Sequence, residues 1–387
     1  MSKFKIAALI SATSLMGTVL FSSGVSSQTP QPSVRLITSP PISEILPFQA
    51  DGKTVPSPVK LTLQAVDTTG QPLEKAKIRL QILTPPKNIF FPTDFPIVEG
   101  TELLNIEAVA PQGQLQIQQM LPIRGTYQLL VDVTPIEGNT FTPIQQKFTV
   151  SVPENWVKYR NFWILVIILF GVGLGGGLVL GGKQEIELGE IAPQRVRLLL
   201  SGAIIVAIAT LLIINISAEL ADSHPNHDGD HSHTEEPIIP QSKGIKAQLL
   251  GDTQATVGQP SQLGVEVINT ITGQPATDVI LNLKITPTHD EWVAFSYQGV
   301  PDSQGKLMWE QQFFDGAPHR VEVEVLPQPQ AAVKFSPLRV VRNVEVEGVA
   351  PPLNVRLIVL AYLTSIIVLG LWVGLKLRQS SLWQFKN

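Results

Sequence analysis

The stretch QGQLQIQQMLPIRGTYQLLVDVTP, residues 112–135, returns without a gap as QGKLMWEQQFFDGAPHRVEVEVLP, residues 304–327. In that register Leu115 meets Leu307, Gln119 meets Gln311, Tyr127 meets His319, Val131 meets Val323, Val133 meets Val325 and Pro135 meets Pro327. Toward the N-terminus of each block, TTGQP (residues 68–72) matches ITGQP (residues 271–275), and each is followed by an alternating run, KIRLQILTPP from Lys77 and ILNLKITPTH from Ile280. The first copy is longer by 11 residues between the matched blocks, in the Pro-rich region NIFFPTDFPIVEG. One register held over so long a block reads as a duplication.

The alternation within the repeat sets the fold class. HRVEVEV places Val321, Val323 and Val325 on one face of a strand and Arg320, Glu322 and Glu324 on the other, the period of a half-buried strand. The T-G-Q-P element suits a turn between strands. Units of about 100–120 residues are the usual size of an immunoglobulin-like sandwich. Residues 34–153 and 245–347 are therefore expected to form two all-β immunoglobulin-like sandwich domains.

The rest of the 387-residue chain reads as membrane and tether. Lys3 and Lys5 precede a charge-free run, and Val25 and Ser27 suit the positions before a cleavage site at Gln28. Residues 1–27 thus read as a secretory signal peptide, with an uncleaved anchor helix as the alternative. Residues 161–182, 198–218 and 357–375 carry no charge, and each is close to the ~20 residues that cross a bilayer as a helix. Three transmembrane helices are expected.

Lys183, Arg195 and Arg197 lie in the loop 183–197, and Lys376, Arg378 and Lys386 in the tail 376–387, so both are assigned to the cytoplasm. Lys158, Arg160 and Arg356 oppose that assignment mildly. The sandwiches then face the periplasmic or extracytoplasmic side of a plasma (inner) membrane. Trp156, Tyr159 and Trp163 suit the outer interface, and Trp372 the inner one.

The first span contains Gly171, Gly173, Gly175, Gly177 and Gly181, with partners four residues apart that share a helix face and permit close backbone approach. Span two offers Ser201, Gly202, Ala203, Ala207 and Ala209 as a matching surface; the helix of a partner membrane protein, or self-association, is the other option. No span has an interior ionisable residue, which argues against a pump or channel.

One segment carries metal-ligating chemistry. ADSHPNHDGDHSHTEEP lies in the linker 221–243 and holds four of the chain's six histidines. His224, His227, His231 and His233, with Asp228 and Asp230, are ligands for Ni, Zn, Co or Cu(II), bound exchangeably because a polar tether must be ordered on binding. A plain solvated linker is the competing reading. His289, beside Asp290 and Glu291, and His319, on the parity of the inward valines, are secondary ligand candidates, the former also readable as an exposed loop residue and the latter as a core imidazole.

The last third of the chain, through Gly273 to Pro275 and the segment FFDGAPHRVEVEV from Phe313, resembles the FixH and YtkA-like family of membrane-anchored extracytoplasmic β domains. That resemblance implies copper or other cation handling, although two β units and three mature spans depart from the family pattern.

Composition limits the remaining options. A net charge of −4 with scattered basic residues leaves no footprint for nucleic acid. The absence of cysteine removes disulfides and thiolate sites. No G-x-S-x-G, H-E-x-x-H or phosphate-binding glycine loop is present, so no enzyme is expected. The expected function is a membrane-anchored periplasmic accessory that captures or senses divalent transition metals beside a transporter. The alternative is a non-catalytic assembly protein docking a membrane complex through its immunoglobulin-like domains.

Overall fold

The computed structural model describes residues 31–49, 57–88, 91–136, 138, 140–181, 196, 202, 241–242, 244–290, 292–331 and 334–384. The first copy contains β1 (Ser33–Ser39), a 3-10 turn (Ile42–Glu44), β2 (Val59–Val66), β3 (Ala76–Leu83), β4 (Glu102–Ala110), β5 (Gln114–Gln119), β6 (Gly125–Pro135) and β7 (Ile144–Val152). Helix α1 (Trp156–Leu180) follows. The second copy contains β8 (Gln241–Ser242), β9 (Ile245–Gly251), β10 (Gln254–Thr256), β11 (Pro260–Asn269), β12 (Val279–Pro287), β13 (Phe295–Gly299), β14 (Lys306–Gln312), β15 (His319–Pro327) and β16 (Leu338–Glu347). Helix α2 (Leu353–Gln384) closes it.

The repeated residues do the same work in both copies. In the quoted blocks, Gly113 and Gly305 sit at φ +64 and +70, where a Cβ would stand 2.3 Å from the Leu73 carbonyl oxygen and 2.5 Å from that of Val267. Only glycine fits there. The carbonyl of each then accepts from the facing strand, from the Ala65 and Val267 amides, both at 2.8 Å. Upstream, Asp67 Oδ1 accepts from the Thr69 and Gln71 amides, and Asn269 Oδ1 from the Ile271 and Thr272 amides. These are Asx turns, which explain the acid or amide ahead of each T-G-Q-P.

The architecture is immunoglobulin-like, but the two sandwiches are not separate. One sheet runs β1-β2-β5-β13-β12-β15-β16-β10 and the other β7-β6-β3-β4-β14-β11-β9-β8. Each therefore takes strands from both copies. At the seam β13 pairs with β5 (Phe295 with Gln119, Tyr297 with Ile117), and β14 pairs with β4 (Gln311 with Leu104, Trp309 with Ile106). Since Gln119 and Gln311 occupy the same repeat position, the two junctions are one contact made twice. That is the rule for an isologous two-fold interface, here within one chain. The two expected sandwich units thus share both sheets. Edge strands are a pairing liability, and each copy covers its partner's.

The inward positions of both copies form one continuous apolar core that includes Leu61, Ile78, Leu80, Ile106, Val131, Leu281, Val323 and Phe295. Val321, Val323 and Val325 are all buried, as the alternation predicts.

The described residues contain two helices long and apolar enough to cross a membrane, where three were expected. Residues 198–218 lie outside the described residues, apart from Gly202. α1 starts five residues before the predicted span, capped by the Asn155 side chain, which accepts from the Val157 amide at 2.9 Å. Its 25 residues measure about 37 Å at 1.5 Å per residue, enough for a ~30 Å hydrocarbon core. Ile164, Ile167 and Val172 on α1, and Leu357, Val368 and Leu369 on α2, leave apolar faces exposed, which suits anchoring in lipid.

Candidate functional site

Among the described residues the built features are two contact regions, one between the helices and one where the sandwich meets them. α1 and α2 run parallel, touching through four glycines. A Cβ on Gly173 would stand 2.2 Å from the Ile367 carbonyl oxygen, and one on Gly177 2.2 Å from that of Leu371. Reciprocally, a Cβ on Gly370 would meet the Phe170 oxygen at 2.3 Å, and one on Gly374 the Leu174 oxygen at 2.3 Å. This is small-x-x-x-small packing on both partners, with the backbones in contact.

Of the five glycines singled out in the sequence, Gly173 and Gly177 make this contact and Gly181 lies against the Arg378 side chain. A Cβ on Gly171 or Gly175 would meet no described atom within 4 Å, and residues 198–218 lie outside the described residues apart from Gly202. The partner seen is α2, whereas the sequence pointed to span two or another protein. Gly370 and Gly374 were missed. Their signal was present in G-L-W-V-G, a four-residue spacing hidden by large neighbours.

The second region lies at the end of the sandwich from which both helices leave. Arg124 donates to the Glu154 carboxylate at 2.6 Å and to the carbonyls of Phe91 and Pro92, both at 3.2 Å. Lys158, in the first turn of α1, pairs with Asp94. The loop unique to the first copy is thereby tied to the start of α1. Beside it an aromatic cluster spans the two copies. Phe48 and Phe95 from the first pack on Trp292 and Phe314 from the second, with Phe48 and Trp292 ring centroids 4.7 Å apart.

Each copy closes this end with a different side chain at the same repeat position. Tyr127 is fully buried; its hydroxyl donates to the Ile123 carbonyl at 2.7 Å and accepts from the Ile123 amide at 2.9 Å. That is the tyrosine corner of immunoglobulin-like domains. His319 instead sets Nδ1 2.7 Å from the Ala317 carbonyl and lies between the Phe313 and Trp292 rings. Burial pushes its pKa down to about 4, against the weaker opposing effect of the Ala317 hydrogen bond. A neutral, enclosed imidazole packs as a core group, and among the described residues no group of three or more His, Asp or Glu side chains gathers around it.

The other predicted ligands are placed as follows. His289 is exposed in the loop after β12, beside the exposed Asp290, whose carboxylate accepts from Trp292 Nε1 at 3.3 Å. His224, His227, Asp228, Asp230, His231 and His233 lie outside the described residues. Among the described residues no group of three or more His, Asp or Glu side chains converges as a metal site. An open groove of about 430 Å³ runs across the seam, lined by Gln116, Gln118, Asn282, Lys284, Ser296 and Glu324 among others.

The chain matches no family model and no curated protein. Among solved structures it is similar to the CARDB domain of the PF1109 protein from Pyrococcus furiosus, at 13% identity over 28% of this chain and 90% of that chain, TM-score 0.21. It is similar also to Yersinia pseudotuberculosis adhesin InvE, at 11% identity over 81% of this chain and 60% of that chain, TM-score 0.19. Escherichia coli alpha-2-macroglobulin in its native conformation matches at 9% identity over 84% of this chain and 17% of that chain, TM-score 0.22. The chain spans less than two thirds of the latter two, and likenesses at this level carry no function across to it.

Proposed function

We propose that this chain is a non-catalytic assembly protein, a membrane-anchored pair of immunoglobulin-like units that docks a membrane complex on the extracytoplasmic side of the plasma membrane. The observation that carries this reading is the double closure of the duplicated unit. Shared sheets join the sandwiches, and reciprocal glycines join the helices, so two copies present one continuous surface above a paired anchor. The bond between the Thr101 hydroxyl and Gln312 Oε1, 2.9 Å across the seam, belongs to the same closure. Because both copies share both sheets, they lie on one side of any bilayer that α1 and α2 cross. The reading therefore requires one further crossing between α1 and β8, for which the sequence supplies residues 198–218.

The test is purification of the tagged full chain from its native membranes in mild detergent, with and without chelator. One stoichiometric membrane complex under both conditions is expected. Recovery of the chain without companions would sink the proposal.

A second reading, exchangeable capture of a divalent metal by the tether, rests on the histidine cluster at residues 224–233. The resemblance to FixH and YtkA-like domains adds cation handling to this reading and nothing to the first. Titration of the full chain, and of a variant lacking residues 221–237, with Ni²⁺, Zn²⁺ and Cu²⁺ decides it: binding unchanged by the deletion, or absent from both, removes the tether from consideration.

A further inference from the structure

The two units differ at the end that faces the helices. Three connections fix which loops lie there in the first unit. β1 ends at Ser39 opposite Lys60, so the chain from residue 40 onward leaves at that end. The Phe48 amide donates to the Leu121 carbonyl at 2.9 Å, just before β6 begins opposite Val152. Arg124 joins the Phe91 and Pro92 carbonyls to Glu154, one residue before the cap of α1. Phe91 thus lies by the start of α1 and Leu46 at the same end of the sandwich; Leu46 is 53% and Phe91 68% exposed, and Trp156 in the first turn of α1 is 75% exposed.

A single exposed apolar side chain is ordinary, but several on one rim mark an interaction surface. The corresponding loop of the second unit is built the other way: Trp292 is turned inward and buried, while His289 and Asp290 face out. The residues that carry Phe91 belong to the insertion that only the first copy has. Their ionic tie, Arg124 to Glu154 and Asp94 to Lys158, sets this loop at the start of α1, the depth where aromatic side chains collect at a membrane surface.

We propose that the membrane-facing loops of the first unit, led by Leu46 and Phe91, seat in the boundary between headgroups and acyl chains of a phospholipid bilayer, while the loops of the second unit stay in water. The sandwich pair then leans on the membrane through its first half. Interfacial segments of this kind settle about 5–10 Å into the headgroup region. The inference rests on the reading that α1 crosses the membrane, and the experiment separates the two.

The chain has no cysteine, so single-cysteine variants report one position each. The full chain, reconstituted in phosphatidylcholine nanodiscs, is spin-labelled in turn at Leu46→Cys, Phe91→Cys, His289→Cys, Thr68→Cys and Ile167→Cys. Collision with oxygen, which concentrates in lipid, is compared with collision with water-soluble chromium oxalate. Labels at 46 and 91 are expected to favour oxygen several-fold over the labels at 68 and 289, and to fall below the label at 167. If 46 and 91 behave as 68 and 289 while 167 remains in lipid, the loops are not inserted and the proposal fails alone. If 167 is itself in water, the membrane reading fails with it.

Discussion

The two copies of the repeat share strand order, turn chemistry and seam contact, and they differ wherever they meet something outside the repeat. At its outer edge the first copy uses Gln146, whose side chain accepts from the Val34 amide at 2.8 Å. The second uses Arg342, which donates to the carbonyls of Leu249, Leu250 and Asp252, while β10 adds in parallel beside β16. At the membrane-facing end Tyr127 is matched by His319, and an apolar, ion-paired loop by a short polar one.

The contact on which both copies depend most is also the easiest to break. Gly177→Leu places a side chain where a Cβ alone would stand 2.2 Å from the Leu371 oxygen, so α1 and α2 must separate. A disulfide reporter, Gly181→Cys with Arg378→Cys, joins positions whose Cβ atoms would lie 3.0 Å apart, slightly inside the usual disulfide spacing. It should cross-link readily with Gly177 intact and scarcely at all with Gly177→Leu. Equal cross-linking in both would show that the glycines are not what holds the pair.

The Tyr127 and His319 corners give the next largest effect. The histidine is neutral in the folded protein, with its pKa lowered from 6.5 to about 4, so the unfolded chain binds the proton more readily between those values. Stability contributed by this group is full above pH 6.5 and declines as pH falls toward 4, by at most about 3 kcal/mol at ~1.4 kcal/mol per pKa unit. Denaturant unfolding of the full chain in detergent, at pH 7 and pH 4.5, should show a larger loss for the wild type than for His319→Tyr, which copies the first unit's corner. An equal loss in both would assign the acid sensitivity to other groups.

Tyr127→Phe should cost about 1–3 kcal/mol by leaving the buried Ile123 amide and carbonyl without their partner, and by a similar amount at both pH values. A pH-dependent cost there would contradict the account of the two corners. The smallest effect concerns the loop that only the first copy has. Lys158→Met removes an ion pair with a half-exposed Asp94 and should change unfolding by ~0–1 kcal/mol, declining further with salt. A larger loss would mean that this tie holds the first unit on its anchor.

Legibility in the sequence varied with the range of the interaction. Val321, Val323 and Val325 declared their face through alternation, because a strand's period is local. Tyr127 and His319 could be aligned, and the inward parity of the histidine read, but not its aromatic neighbours Trp292 and Phe313, which arrive from the connections before β13 and after β14. Gly173 and Gly177 announced a close approach without naming α2 as the partner. Leu46 and Phe91 looked like ordinary loop residues until Arg124 and Glu154 placed them beside α1.

The sequence by itself determined the repeat, the β period within it and the apolar stretches, because these follow from neighbours along the chain. Only the tertiary structure decided that the sandwiches merge at their edges, that the helices pair in parallel, and that the loop carrying Phe91 is tied to the start of α1. Edge pairing depends on which backbone groups are left unpaired after each copy has folded. Helix register depends on where two backbones can touch. Neither quantity is carried by residue identity along the chain, so a duplicated unit could be recognised from its letters while the way its copies join could not.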